Sequence, residues 1–383
     1  MFAKSWAWCA VLCVSAWPLT VAAQDTKLDP DAPYTATRGN PVTYDVDFSA
    51  VVTPPYHAKV LKIWLPLPQT DAAQEVTEGA LTSFPIEVAP RIGKEEKFGN
   101  KFAYFEFNKP EGAQIIRHKF KIKVYELHWN IDGAKVHLVK NWPADFDKYR
   151  KSETQAVVID DQIQQLVNKL VGKPSNPLKD MTTVWTWAQT NLKYDHDHAS
   201  LQASSLHAIE EMEGHCSDYH GLCSAMGRAL GYPTRVTYGI NPMPKNSPSH
   251  CKMEAFLPPY GWVSFDVSET QNLFNVIRKD ENLSQGEKDK LLAAAEKRFL
   301  SGFRDNTWFK QTAGTDYDLA PPAAKKAAVV RTIYAEADGE ALPEPDPANK
   351  TLRAFSWMTV HKFTPDRKVP YPFKDLSTLQ PAQ

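Results

Sequence analysis

Residues 214–240 read GHCSDYHGLCSAMGRALGYPTRVTYGI, and the fold is decided in this stretch. After Cys216 the small and apolar residues Leu222, Ala225, Met226, Ala229 and Leu230 recur at helical spacing, Gly231 closes the helix, and Arg235 to Ile240 returns to strand. Cys216 is therefore placed at a helix N-terminus. There the positive end of the helix dipole and the unpaired amide groups favour a thiolate and lower the thiol's pKa. A cysteine so placed meets the requirement for a nucleophile.

Downstream, His250 lies 34 residues on, just ahead of a strand that runs from Met253. The Pro258-Pro259-Tyr260-Gly261 turn follows, then a strand from Trp262 through Val263 and Phe265 to Asp266, which lies 16 residues after His250. A hairpin of that length brings strand start and strand end side by side, so imidazole and carboxylate can meet. The order Cys216, His250, Asp266 then reads as nucleophile, general base and the group that orients the base.

Upstream of Cys216 the pattern is helical. Ile159 to Val171 repeats Ile163, Leu166 and Leu170, with Asp160 and Asp161 as caps in the first turn, and Leu178 to Leu192 repeats Met181, Val184, Trp185 and Ala188. A third helix begins at Ser204 or Ser205 and stops at Gly214. Earlier still, residues 35–145 alternate with period two: Val42, Tyr44, Val46 and Phe48, then Phe120, Ile122 and Val124 against Lys119, Lys121 and Lys123. This predicts an antiparallel β-sandwich of roughly 100 residues with the lysines on its wet face.

The last hundred residues carry no chemical signature. Ser284 to Leu300 is a helix opened by a Ser284/Glu287 capping box. Val329 to Ala335 and Leu352 to Val360 read as two strands joined by an acidic, Pro-rich stretch. The expected division is a sandwich over 35–145, an α+β catalytic domain over 150–275 and a C-terminal α/β extension over 276–383, packed on the core.

Composition sets the outer bounds. The chain has 383 residues, 43% apolar and 23% charged, with a formal charge of -1, which excludes disorder and collagen-like repetition. No cationic patch suits a nucleic-acid partner. Residues 1–23 combine one lysine, an apolar run from Trp6 to Trp17, a Pro18 break and small residues up to Ala23, the pattern of a cleaved secretory signal. The run is shorter than a bilayer requires, so no membrane span is expected after cleavage, and the location expected is periplasmic or secreted. Cleavage leaves Cys216, Cys223 and Cys251, an odd number, so at least one thiol stays free or pairs outside the chain.

The strings Gly214-His215-Cys216-Ser217-Asp218, Ala229-Leu230-Gly231-Tyr232-Pro233-Thr234-Arg235, and His250-Cys251-Lys252-Met253-Glu254 with Leu257-Pro258 and Tyr260 to Asp266 resemble the transglutaminase-like superfamily. Bacterial members typically show G-x-C-x-(D/E), A-L-G-(I/Y)-P-(A/T)-R and H-x-W-x-E-x-x-x-P-x-Y-G-W-x-x-x-D, and every spacing matches. The resemblance covers about Met181 to Val267, while Val60 to Pro68 is similar to a strand of the β-domains that precede such cores. It implies a papain-like fold in which a cysteine helix packs on an antiparallel sheet, with Cys216, His250 and Asp266 in the triad roles. The sequence departs from the pattern at Cys251 and Met253, which bears on the shape of the substrate cleft rather than on the nucleophile. The resemblance also suggests an upstream aromatic donor to the oxyanion, for which Tyr194 is the first candidate and Trp187 the second.

Two metal sites compete with this reading. Cys216, His220 and Cys223 share one helical face, and His250 and Cys251 complete a ligand set for zinc; yet adjacent strand residues point to opposite sides, and the spacing is not a C-x-x-C knuckle. Asp195-His196-Asp197-His198 alternates ligand types but reads as an exposed polar loop. No acidic loop has calcium-ligand spacing. No cofactor is therefore assigned. Cys223 and Cys251 are expected as buried thiols, since Cys223 lies two helical turns from Cys216, beyond disulfide reach. The chemistry expected is thioester-mediated acyl transfer at a peptide or protein amide, including cell-envelope peptides, resolved mainly by water. Glutamine crosslinking and peptide or glycan binding without catalysis are the alternatives.

Overall fold

The structure, a computed structural model, describes residues 28–244, 248–344 and 356–379; the segment read as a signal peptide, 1–23, lies outside them. Six strands come first: β1 (Thr37–Val52), β2 (Val60–Leu67), β3 (Gln74–Phe84), β4 (Arg91–Lys94), β5 (Lys101–Asn108) and β6 (Gln114–His128). A helical stretch follows with α1 (Asp161–Leu170), α2 (Pro177–Asn191), the short strand β7 (Lys193–Tyr194), α3 (Ser205–Glu211) and β8 (Glu213–Gly214). Next come α4 (Cys216–Ala229), β9 (Thr234–Ile240), β10 (Ser249–Phe256), β11 (Trp262–Phe265) and α5 (Val267–Lys279). The chain continues through α6 (Gln285–Leu300), β12 (Phe303–Arg304), β13 (Phe309–Ala313), β14 (Tyr334–Ala337), β15 (Glu340–Ala341) and β16 (Trp357–Pro365).

The N-terminal strands form two antiparallel sheets, ordered β12-β6-β1-β16 with β3 also on β6, and β15-β14-β2-β5-β4. Their facing residues make one core: Val42, Val46, Phe48 and Ala50 of β1 meet Leu61, Ile63, Phe105 and Phe107. Lys119 and Lys121 are exposed on the outer face and pair across the strands with Asp47 and Asp45. The period-two reading of the sequence thus gives both the sheet and its wet side.

The core sheet is ordered β11-β10-β9-β13, and α4 packs against β9 and β10 with α1, α2, α3 and α5 around it. Helix α4 is buried along nearly its whole length. Its Gly221 allows this: a Cβ there would stand 2.1 Å from the carbonyl oxygen of Ala203. The caps fall where the sequence put them, with Asp160 accepting from the Ile163 amide and Ser284 from the Glu287 amide.

Residues 276–383, expected as an extension packed on the core, contribute strands to all three large sheets. Their strands are distributed: β13 adds to β9 of the core sheet, β12 and β16 to the sheet of β1 and β6, and β14 and β15 to β2. The expected strand at Val329 to Ala335 is β14, shifted to Tyr334–Ala337, and the one at Leu352 to Val360 is β16, running to Pro365; residues 352–355 lie outside the described residues. The physical reason is edge satisfaction. β1 and β2 each present an unpaired backbone edge after β6 is made, and distant strands fill both.

Candidate active site

Cys216 is the first residue of α4 and only 5% exposed. The turn that presents it is held by Asp218, whose carboxylate accepts from the His215 amide at 3.1 Å, the Ser200 amide at 3.2 Å and the Ser200 hydroxyl. Gly214 has φ +148°, and a Cβ on it would lie 2.6 to 2.9 Å from Asp218 side-chain atoms. The Gly and Asp of the first motif are therefore one steric and hydrogen-bonded unit. Gly214→Ala is expected to destabilise the protein by about 1–3 kcal/mol, read as a lower urea midpoint, because the strain falls on the turn that sets Cys216.

Strand β7 pairs in parallel with β8, placing Tyr194 opposite Gly214, two residues from Cys216. The phenol is half-buried, and both burial and the negative charge of Cys216 raise its pKa. Trp187, the second candidate, instead packs beside the helical core on α2.

His250 and Asp266 are brought together by the β10–β11 hairpin, in which Met253 faces Phe265. His250 Nε2 lies 2.7 Å from Asp266 Oδ2, which leaves Nδ1 as the ring nitrogen available to Cys216. The indole of Trp308 donates to the His250 carbonyl at 3.1 Å, fixing the strand at this point. Asp266 also caps α5, its Oδ1 accepting from the Glu269 amide at 3.1 Å. Burial opposes a charged imidazole, but Asp266 and the Cys216 thiolate outweigh it and raise His250 to about 10. The Cys216 thiol is held well below its usual range by a hydrogen bond from Cys251 and then, against burial, by the charge of His215 and His250. Burial raises Cys223, and burial with the neighbouring Cys216 raises Cys251. All three thiols are free.

The departures from the motif do something other than expected. Cys251 meets Cys216 itself, and its Sγ lies 3.4 Å from His220 Nδ1, while the Met253 sulfur is 3.1 Å from the buried Trp185 indole nitrogen, in the core rather than the cleft. The quoted pattern has its Trp two residues after the histidine. Lys252 occupies that position, 1% exposed, with Nζ 2.6 Å from Asp266 Oδ2 and 2.8 Å from Asp305 Oδ1. Sequence reasoning missed both Lys252 and Asp305. The available signal was a His-x-Lys-x-Glu stripe along a strand whose other face is apolar. The remaining motif charges pair with each other: Arg235 lies 2.6 Å from Glu254, which also accepts from Tyr34 at 2.6 Å.

Neither competing metal site assembles as expected. His220 turns Nδ1 to Cys251 and accepts the Val267 amide at Nε2 over 3.1 Å, and no zinc set forms around Cys216 among the described residues. In the Asp195 loop, Asp195 and His198 converge with Glu213 to within 4.8 Å. Lys193 already supplies the cation there, with Nζ 2.8 Å from Asp195 and 2.9 Å from Glu213, so the cluster is a clasp across β7 and β8.

A cysteine at a helix N-terminus facing a histidine–aspartate hairpin on an antiparallel sheet defines the papain-like class of fold and site. Residues 164–267 match the model of the transglutaminase-like superfamily, and the chain carries a transglutaminase-like domain. A solved candidate cysteine protease from Cytophaga hutchinsonii superposes with TM-score 0.60 at 15% identity, covering 88% of this chain and 95% of that one, so the shared fold extends well beyond the core. An uncharacterized protein of Haemophilus influenzae is 23% identical over 335 residues, 80% of this chain and 87% of its own length. The periplasmic domain of TgpA from Pseudomonas aeruginosa is a more distant likeness, with TM-score 0.30 and 12% identity over 57% of this chain and 92% of that one. Among the described residues, no helix is long and apolar enough to cross a membrane.

Proposed function

We propose that the protein is an exported, periplasmic or secreted, cysteine-dependent acyl-transfer enzyme that cleaves peptide or protein amides through a thioester, with cell-envelope peptides among its substrates. The observation that carries this reading is Cys216 at the head of α4 with its pKa lowered, facing a histidine whose far nitrogen is 2.7 Å from a buried aspartate. The Cys216 thiolate attacks the amide carbonyl, and the oxyanion forms at the N-terminus of α4, where the Cys216 amide and the Tyr194 hydroxyl are the donors. His250 gives its proton to the leaving amine, the C–N bond breaks, and a thioester remains. His250 then takes a proton from water as the hydroxyl adds to the carbonyl; thiolate leaves, and the acid is released. Asp266 holds the ring and supports the imidazolium.

Water is the acceptor that asks least of the site, since the same His250 activates it. Incubation with a glutamine peptide or a peptidoglycan stem peptide, together with a labelled primary amine, is expected to yield free acid as the main product. Dominant amine incorporation would make the enzyme a crosslinker instead.

A further inference from the structure

Lys252 is not required by a scheme of nucleophile, base and orienter. It nevertheless stands at the centre of this one. Its ammonium shares a single oxygen, Asp266 Oδ2, with the imidazole: Nζ is at 2.6 Å and His250 Nε2 at 2.7 Å. Asp305, itself buried and held by the Thr307 hydroxyl, takes the other side of the ammonium at 2.8 Å, and the rings of Trp308 and Phe373 lie 5.4 Å and 5.1 Å from Nζ. A lysine so enclosed stays charged, raised by both carboxylates against its burial. It is therefore a fixed cation directly behind the acid of the site.

Two cations on one carboxylate oxygen divide its charge, and each weakens the other's hold. In the free enzyme this matters little, because the Cys216 thiolate also stabilises the imidazolium. Acylation removes the thiolate charge. Asp266 is then the main support left for the proton on His250, and Lys252 already draws on that support. Without the ammonium, the buried carboxylate would retain the imidazolium and deny the acceptor its base.

We propose that Lys252 is a positioning residue that pins Asp266 behind His250 and, by sharing its charge, frees the imidazole to act as base once Cys216 is acylated. This rests on the acyl-transfer reading above and deepens it. It applies equally to a water or an amine acceptor. The other titratable groups around His250 are His220 of α4, Glu269 of α5, and Arg331 ahead of β14, which lies within electrostatic reach of Cys216 and Cys251. The His220 ring centroid is 6.4 Å away, its Nε2 is 3.8 Å from the other Asp266 oxygen, Oδ1, and burial lowers its pKa to about 4. His250 and Lys252 meet on Asp266 Oδ2, so a change confined to Lys252 and Asp305 acts on the shared oxygen.

The test is an NMR titration of the His250 ring in a Cys216→Ala background, which removes the thiolate as acylation does and needs no substrate. Lys252→Met/Asp305→Asn removes the ammonium together with its second carboxylate, leaving net charge unchanged. In that variant the His250 midpoint is expected to rise by about one pH unit or more, a tenfold tighter hold on the proton, whereas Lys252→Arg keeps it near the parent value. A midpoint that does not move in the double variant, with a native-like spectrum, overturns the proposal. Should acyl transfer itself be wrong, that emerges separately, as absence of product from the amide peptides with the parent enzyme.

Discussion

Iodoacetamide at neutral pH is expected to carboxamidomethylate Cys216 at least about 100-fold faster than Cys223 or Cys251 in the folded protein. Burial does not separate the three, since all are enclosed and Cys216 is only 5% exposed. Charge does. Cys216 has a hydrogen bond from Cys251 and two histidines to hold it as a thiolate, whereas burial raises Cys223, and Cys251 is raised further by the thiolate it faces. The rate is expected to depend on pH less steeply near neutrality than that of an ordinary thiol, because the lowered pKa moves thiolate formation to lower pH. Amide turnover has a further requirement, the proton on His250. That proton is present below the raised value of about 10 and lost above it, so turnover falls at high pH while alkylation does not. Equal labelling of the three cysteines by mass spectrometry would remove Cys216 from its role.

The second large effect concerns Asp266. Asp266→Asn is expected to lower turnover by about a thousandfold or more, since the amide can neither fix the tautomer of His250 nor support its charge. Here the substitution also acts on stability, because it leaves the Lys252 ammonium buried against Asp305 alone. A loss of about 3 kcal/mol in urea unfolding is expected. The variant still folds, since an Asn oxygen can cap α5 as the carboxylate does. Stability also depends on pH through this pair: the carboxyl of Asp266 is depressed, so its contribution is present above the ordinary carboxylate range and lost as pH falls through the depressed value. His250 is raised, so its contribution is present below about 6.5 and is lost as pH climbs toward about 10. The Asn variant should lose the share of the acid sensitivity that Asp266 supplies, while Asp305, Asp71 and Glu254, also depressed, keep theirs. Turnover equal to the parent would take Asp266 out of the site.

The geometry of the candidate site was readable because each of its residues comes with a local reason. Gly214 and Asp218 make the turn before Cys216, and a 16-residue hairpin spacing carries His250 to Asp266. Lys252 was not readable for an equally physical reason. A lysine alternating with other residues along a strand looks the same whether it ends exposed on a wet face or enclosed between two buried carboxylates. Lys119 and Lys121 show the first outcome and Lys252 the second, and only the arrival of Asp305, 53 residues later, makes the difference. Similarly, the helices and caps of the core could be placed from periodicity, but the destination of β14 and β16 could not. Several sheet edges were open to them, and hydrogen-bonding capacity along a strand carries no address.

The return of the chain's tail to its beginning fixes an order of assembly. β1 pairs with β16 across more than 300 residues, with Tyr44 opposite Pro365, and β2 pairs with β14. The sheets begun by β1 and β2 are thus completed only after the core that follows them in sequence, and until their closing strands arrive they expose two ready-made edges. Such long-range closure makes for slow folding and a long interval in which the nascent chain remains extensible. The late strands act as a latch on the first two sheets that cannot shut until residues 334–365 have been made.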